Sequence, residues 1–465
     1  MITEKLRKQI SDFADENREQ FIKDLKDLVE IPSISQNGDE KDPYGTDCSK
    51  VLAVMLDKAS ECGLDTVNDA NRYGLAYYGS GPHSIGIFSH LDVVETDDLW
   101  VFPPFTVTEK DGWLFGRGVA DDKCGAVIGL YTVKALQALH IPFQNRLVLY
   151  YGLNEEKGMK DLDYYISRNK QPDFTMVPDF KFPVSIGEAG SLKVKMKLSA
   201  LSEEFSEFTA GFPGRRFLLN ASVLYHGEKQ LQEKEDIRLK REKNGIRISA
   251  EGKSDTRYGA GDSISALYVL CDYLISNKLG NESDQLSFAR MKEISLCKDG
   301  SLYNLAVQDD LFGKLKTNCL LAGESEDGTD LELRITYPFG LNDKEIMEHL
   351  MAYSDEITVV EMSHSEPYLF PAEDPRTGIL VDTWNRVSGR NDSPCVGGGT
   401  YARKLNNAVS YGPKDHLRCS FLPHGHGEIH CPDETRHIST LLNALKVYIE
   451  AVIELDEYYG VQTEL

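Results

Sequence analysis

Three short apolar runs, each ending on a histidine or a carboxylate, constrain the fold of this chain more than any other feature. Residues 85–88 lead into His90-Leu91-Asp92, residues 146–153 (RLVLYYGL) lead into Asn154-Glu155-Glu156, and residues 174–177 lead into Pro178-Asp179. Short apolar runs bounded by polar residues read as buried strands of a parallel sheet, and open α/β sheets collect their chemistry at the carboxyl ends of such strands. One such run alone reads as a strand followed by a solvated loop. Three of them with helical patterns between converge on one sheet edge.

The pattern along the chain gives the rest of the layout. Apolar residues recur at spacings of three and four over 3–30, which predicts one amphipathic helix closed by Pro32; similar helices are expected over 49–62 and 126–140. Near Gly190 the character changes, because LKVKMKLSA alternates apolar with polar like a strand exposed on one face. From there to 366 we expect strands, including residues 331–338, a helix over 263–274, and charged connecting segments such as residues 230–245. Buried character returns with a helix over 377–384 and an amphipathic helix from Ile438, before which Pro432 fits as a starter. The chain of 465 residues exceeds the size at which single cores stop growing. The expected organisation is one domain built from 1–189 and 367–465, with 190–366 inserted into it as a second.

Charge and cysteine usage exclude several classes. The formal net charge of -23 and the lack of any long basic block argue against nucleic acid and anionic membranes as partners. Nine scattered cysteines with no Cys-x-x-Cys pair argue against a disulfide framework and for a reducing compartment. The charged N-terminal stretch lacks the apolar core of a signal peptide, and no run is long enough to span a bilayer, so a cytoplasmic location is expected.

The chemistry-bearing residues form a set. His90, Asp121, Glu155, Glu156, Asp179 and His430 supply two imidazoles and four carboxylates from distant parts of the chain. Mixed nitrogen and oxygen donors suit zinc, with manganese or cobalt as substitutes. A two-metal site needs a bridging carboxylate and one unligated base, a division of labour that adjacent glutamates can provide. Asp92, two residues beyond His90, is placed to hold the other nitrogen of that ring. The turn Gly116-Arg117-Gly118 bends the chain ahead of Asp121.

The motifs HLDVV, GRGVADDK, NEEKG, VPDFKFPV, GGGTYAR and IHCPDE, in this order across nearly the whole chain, resemble the M20 family of metallopeptidases, most closely its PepV-like, Xaa-His dipeptidase branch. The resemblance implies an α/β fold: a mixed-sheet zinc-exopeptidase catalytic domain with an inserted α+β lid domain. It further implies two zinc ions, one held by His90 and Asp179, the other by Glu156 and His430, with Asp121 bridging. Glu155 is then the general base, Asp92 orients His90, and the peptide bond between Asp121 and Asp122 is cis. Arg334 and Asn220 match the lid's substrate-binding arginine and asparagine loosely, and for Arg334 an ordinary strand charge is an equal reading. The glycine-rich GGGTYAR, centred on Gly399, either presents amides to the substrate carboxylate or is a tight turn.

Two departures from that family stand out. Cys124 replaces the glycine that usually follows the motif's lysine, which suggests altered metal affinity or redox sensitivity. In the lid, Thr256 of Gly-Lys-Ser-Asp-Thr-Arg stands where the family carries an oxyanion-stabilising histidine, with Arg257 beside it as a substitute. The resemblance therefore implies a zinc-dependent dipeptidase acting as a monomer on small peptides. An N-acyl amino acid deacylase and a catalytically weakened peptide-binding relative are the alternatives.

Overall fold

The three apolar runs become neighbouring strands in the computed structural model, which describes residues 2–213, 218–253, 263–414, 417, 419–423 and 425–463. The strand Ser84–His90 pairs in parallel with Arg146–Gly152 on one side and with Phe174–Val177 on the other, Ile85 lying opposite Leu147 and Phe174. The six-stranded sheet runs Asp65–Asp69, Tyr73–Tyr78, Arg146–Gly152, Ser84–His90, Phe174–Val177, Ala408–Ser410. Its first two strands join antiparallel and its last joins parallel, so the sheet is mixed. Ile85, Ile87 and Phe88 are fully buried, each contributing about 1.5–3 kcal/mol through its removal from water. That burial fixes where the strand ends, and hence where His90 sits.

The helix Lys123–Ala138 packs on the central strand, and the long C-terminal helix Ile438–Thr463 packs on that helix. The chain divides into two compact units, Met1–Glu188 with Tyr368–Leu465, and Ala189–Pro367. The second unit carries an eight-stranded antiparallel sheet in the order Ile237–Glu242, Gly245–Glu251, Asn220–Tyr225, Phe205–Ala210, Lys316–Ser325, Gly328–Tyr337, Gly190–Leu198, Thr358–Ser365. It also carries the helices Ala266–Ser276, Glu282–Leu296 and Asp343–Met351. Each unit has its own hydrophobic core. No helix among the described residues is long and apolar enough to cross a membrane.

Several local expectations are corrected. The helix predicted over 3–30 is two helices, Glu4–Glu16 and Arg18–Val29, because the Asn17 side chain donates to the Phe13 carbonyl at 2.8 Å and competes with the helical ladder. The segment 230–245, expected as a charged connector, contains the edge strand Ile237–Glu242. Pro432 does not start the last helix, since the strand Thr435–His437 intervenes. The predicted helix over 126–140 runs Lys123–Ala138, beginning immediately after Asp121 and Asp122. Thr256, Arg257, His416 and His424 lie outside the described residues.

Candidate metal centre

The carboxyl ends of the three central parallel strands deliver His90, the Asn154-Glu155-Glu156 loop and Asp179 to one place. Asp121 arrives from the loop after Gly118, whose φ of +98° and 2.8 Å approach to the Lys123 side chain leave no room for a side chain. The Asp121–Asp122 peptide bond is cis, as the motif implied. His430 arrives from the segment before the last strand with φ +60°, a left-handed conformation unusual for a non-glycine residue.

Asp121 sits between the two imidazoles. Its Oδ1 lies 3.1 Å from His90 Nε2 and its Oδ2 lies 3.1 Å from His430 Nε2. His430 Nε2 is also 3.0 Å from Glu156 Oε1, and His90 Nε2 is 3.8 Å from Asp179 Oδ2. Ligand atoms of His90, Asp121 and Glu156, and those of His90, Glu155 and Asp179, lie within 4.8 Å of one another in each group. One carboxylate with each oxygen turned to a different imidazole has the shape of a bridge between two ions.

The electrostatics suit cations. Burial pushes Glu155 and Asp179 well above the usual carboxylate range, helped by neighbouring negative charge from Glu156 and Asp121 in the first case and Asp121 in the second. Burial acts in the same direction on Asp121, but hydrogen bonds from His430 and His90 outweigh it and hold that carboxyl well below its ordinary value. Glu155 Oε1 is buried and has no hydrogen-bond partner among the described residues. A buried donor set of two imidazoles and four carboxylates, one with an unused oxygen, fits two divalent ions of the zinc class.

The surrounding shell differs in part from expectation. His90 Nδ1 lies 2.9 Å from the backbone carbonyl of Asp92 and 3.5 Å from its carboxylate, so the main chain makes the closer contact. The Asp92 carboxylate instead accepts the backbone N–H groups of Glu155 and Glu156, each at 3.1 Å, which fixes the loop bearing both glutamates. Asp161, which sequence reasoning missed, accepts the N–H groups of Leu153 and Asn154 at 2.7 and 3.0 Å and the Tyr401 hydroxyl at 2.5 Å. Burial, then the charge of Asp92, raises its pKa to about 6. Its only sequence signal is a carboxylate in an otherwise helical segment, which is ordinarily solvated.

The glycine-rich segment is anchored from below. Glu188 accepts the Thr400 N–H at 3.1 Å, the Thr400 hydroxyl at 2.8 Å and Arg403 Nε at 2.8 Å, so the Thr400 amide is already engaged. Gly399 beside it is exposed, with open space where a side chain would stand. Cys124 is fully buried and burial pushes its thiol well above the ordinary range, which disfavours the thiolate. Arg334 and Asn220 lie in the second unit, Arg334 in register between Lys193 and Asn318, and Asn220 exposed at the start of its strand.

Comparison with known proteins points the same way as the geometry. The profile of peptidase family M20/M25/M40 matches residues 86–454. A Beta-Ala-Xaa dipeptidase of Lactobacillus delbrueckii subsp. lactis is 25% identical over 471 residues, covering 96% of this chain and 97% of the relative. Human carnosine dipeptidase 1 shares the fold with a TM-score of 0.62 at 15% identity, covering 97% of this chain and 100% of that one. The di-peptidase Dug1p of Saccharomyces cerevisiae does so with a TM-score of 0.62 at 14% identity, covering 97% and 98%. The chain belongs to peptidase family M20/M25/M40 and is an enzyme of the metal-dependent hydrolase class.

Proposed function

We propose that this chain is a zinc-dependent dipeptidase whose general base is Glu155. The observation that carries the reading is the convergence of His90, Asp179, Glu156 and His430 around the two oxygens of Asp121, with Glu155 Oε1 buried beside them and unpartnered. Two zinc ions, or manganese or cobalt in their place, would be held by His90, Asp179, Glu156, His430 and the bridging Asp121, and supply Lewis acidity to the scissile carbonyl and to water. Glu155 takes a proton from the attacking water and returns it to the leaving amine, so that water and one peptide bond give a free carboxylate and a free amine. Burial, which raises its pKa, favours the protonated form that Glu155 takes between the two transfers. Asp92 keeps Glu155 in place through the backbone of the glutamate loop. The inserted unit serves as the lid, with Arg334 and Asn220 as its contacts to substrate, and the enzyme works as a monomer.

The test is amino acid release from a panel of dipeptides and N-acyl amino acids by purified protein supplied with zinc or manganese, beside Glu155→Gln. Release from dipeptides that falls by about 10²–10⁴-fold in the variant is the expected result. Preferential turnover of N-acyl amino acids would replace the dipeptidase reading with a deacylase. Peptide binding without turnover in metal-loaded protein would overturn both.

A further inference from the structure

A buried carboxylate outside the ligand set ties the two arms of the site together. Glu434 lies four residues beyond His430 and is fully buried. Its Oε1 accepts three backbone N–H groups of the loop that carries Asp121: Gly118 at 3.0 Å, Ala120 at 2.9 Å and Asp121 itself at 3.2 Å. Its Oε2 accepts Arg117 Nη1 at 2.6 Å, and its own carbonyl accepts the Gly116 N–H at 3.0 Å. The Arg117 guanidinium is buried as well, 5.1 Å above the Trp100 ring.

The backbone on the His430 side is equally determined. Gly427 donates to the Pro432 carbonyl at 2.8 Å and Cys431 to Glu428 at 3.1 Å, closing the turn that holds His430. Thr435, directly after Glu434, pairs with Phe115 in the short sheet, and its hydroxyl donates to the Leu114 carbonyl at 2.7 Å. His430 and Asp121 are 309 positions apart in the chain. Glu434 joins them through hydrogen bonds to the Asp121 loop and a five-residue peptide to His430.

We propose that Glu434 is the positioning residue that sets the spacing of His430 against Asp121, and through it the affinity of the centre for divalent ions. This rests on the reading that these two residues hold metal. One oxygen taking three N–H groups defines the loop's path, while Arg117 fixes the other oxygen and so the orientation of the whole carboxylate. Such supports of ligating groups typically govern about 10- to 100-fold in metal affinity.

The experiment is titration of metal-stripped full-length protein with cobalt(II), read as affinity and as the visible absorption spectrum, which reports ligand geometry. Two double variants lack the charge pair equally but differ in the acceptor: Arg117→Met/Glu434→Gln keeps an oxygen for the three N–H groups, and Arg117→Met/Glu434→Leu removes it. The glutamine double is expected to bind as the wild type does, and the leucine double about tenfold or more weakly with an altered spectrum. Equal behaviour of the two doubles, whether unimpaired or equally impaired, overturns the proposal. Should the leucine double fail to fold, Glu434→Asp decides, because it keeps the charge opposite Arg117 while withdrawing the acceptor by one methylene. A weakened, spectrally altered aspartate variant supports the clamp, and wild-type binding overturns it. Wild-type protein that binds no cobalt would instead bring down the metal-site reading beneath it.

Discussion

Burial alone would lower the pKa of His430, yet the charge of Glu156, followed by the hydrogen bond to Asp121, raises it to about 9. At pH 7 the metal-free site therefore holds a proton on this ring, and an ion that ligates Nε2 must displace it. The sign follows directly: the proton is bound in the free site and absent in the loaded one, so apparent metal affinity rises with pH until about 9 and flattens above it. We expect zinc binding at pH 7 to release at least one proton, measured by calorimetric titration in buffers of different ionisation enthalpy. Binding that releases no proton would show that the ring is already neutral in the free site at pH 7. The residue was legible in the sequence only through its motif, since His424 and His426 stand close by. His426 is engaged elsewhere, with Nδ1 2.5 Å from Asp433 Oδ2.

At the scale of elements, the central strands could be read because each places a continuous apolar run at a position buried on both faces. The edge strand Ile237–Glu242 could not, since only Ile237 in it is buried and the short alternation of Ile237 and Leu239 with Arg238 and Lys240 is lost among the charges around it. The helix Glu282–Leu296 was hidden for the opposite reason. Its buried face mixes Phe288, Met291 and Ile294 with Asp284, Ser287 and Ser295, which breaks the apolar stripe, although Asn281 and Asp284 form a capping box that marked its start. The roles of the site's supports were illegible too, because Glu434 binds backbone far away in the sequence and Asp161 joins the nearby glutamate loop to the distant Tyr401 hydroxyl. Gly152 makes this concrete: a Cβ there would stand 1.9 Å from the Tyr401 hydroxyl oxygen and 2.6 Å from Asp161 Oδ2. Gly152→Ala should cost roughly 1–3 kcal/mol in denaturant unfolding by overpacking, and should lower turnover because the same contacts carry the loop to Glu155. Tyr401→Phe in that background removes the nearest atom and should recover part of the stability. An alanine variant as stable and active as the wild type would show that this end of the strand has slack.

Among the described residues each of the two units has its own hydrophobic packing, whereas the ligands of the buried candidate metal centre all belong to the unit Met1–Glu188 with Tyr368–Leu465. Metal that binds the folded site and not the unfolded chain stabilises by mass action, about 2.7 kcal/mol at a hundredfold excess over the dissociation constant. The gain arises where the ligands are, since it offsets the mutual repulsion of Asp121, Glu155, Glu156 and Asp179 in a buried setting. Chelation should therefore lower the unfolding temperature of this unit and leave the unit Ala189–Pro367 comparatively unaffected. Hydrogen exchange can read the two apart in the intact chain, through amides of the strand Ser84–His90 on one side and of the strand Lys316–Ser325 on the other. Loss of protection confined to the first set on adding chelator is the expected outcome. Equal loss in both would mean that the two cores unfold as one cooperative body, and loss in neither would mean that the carboxylate cluster gains nothing from metal.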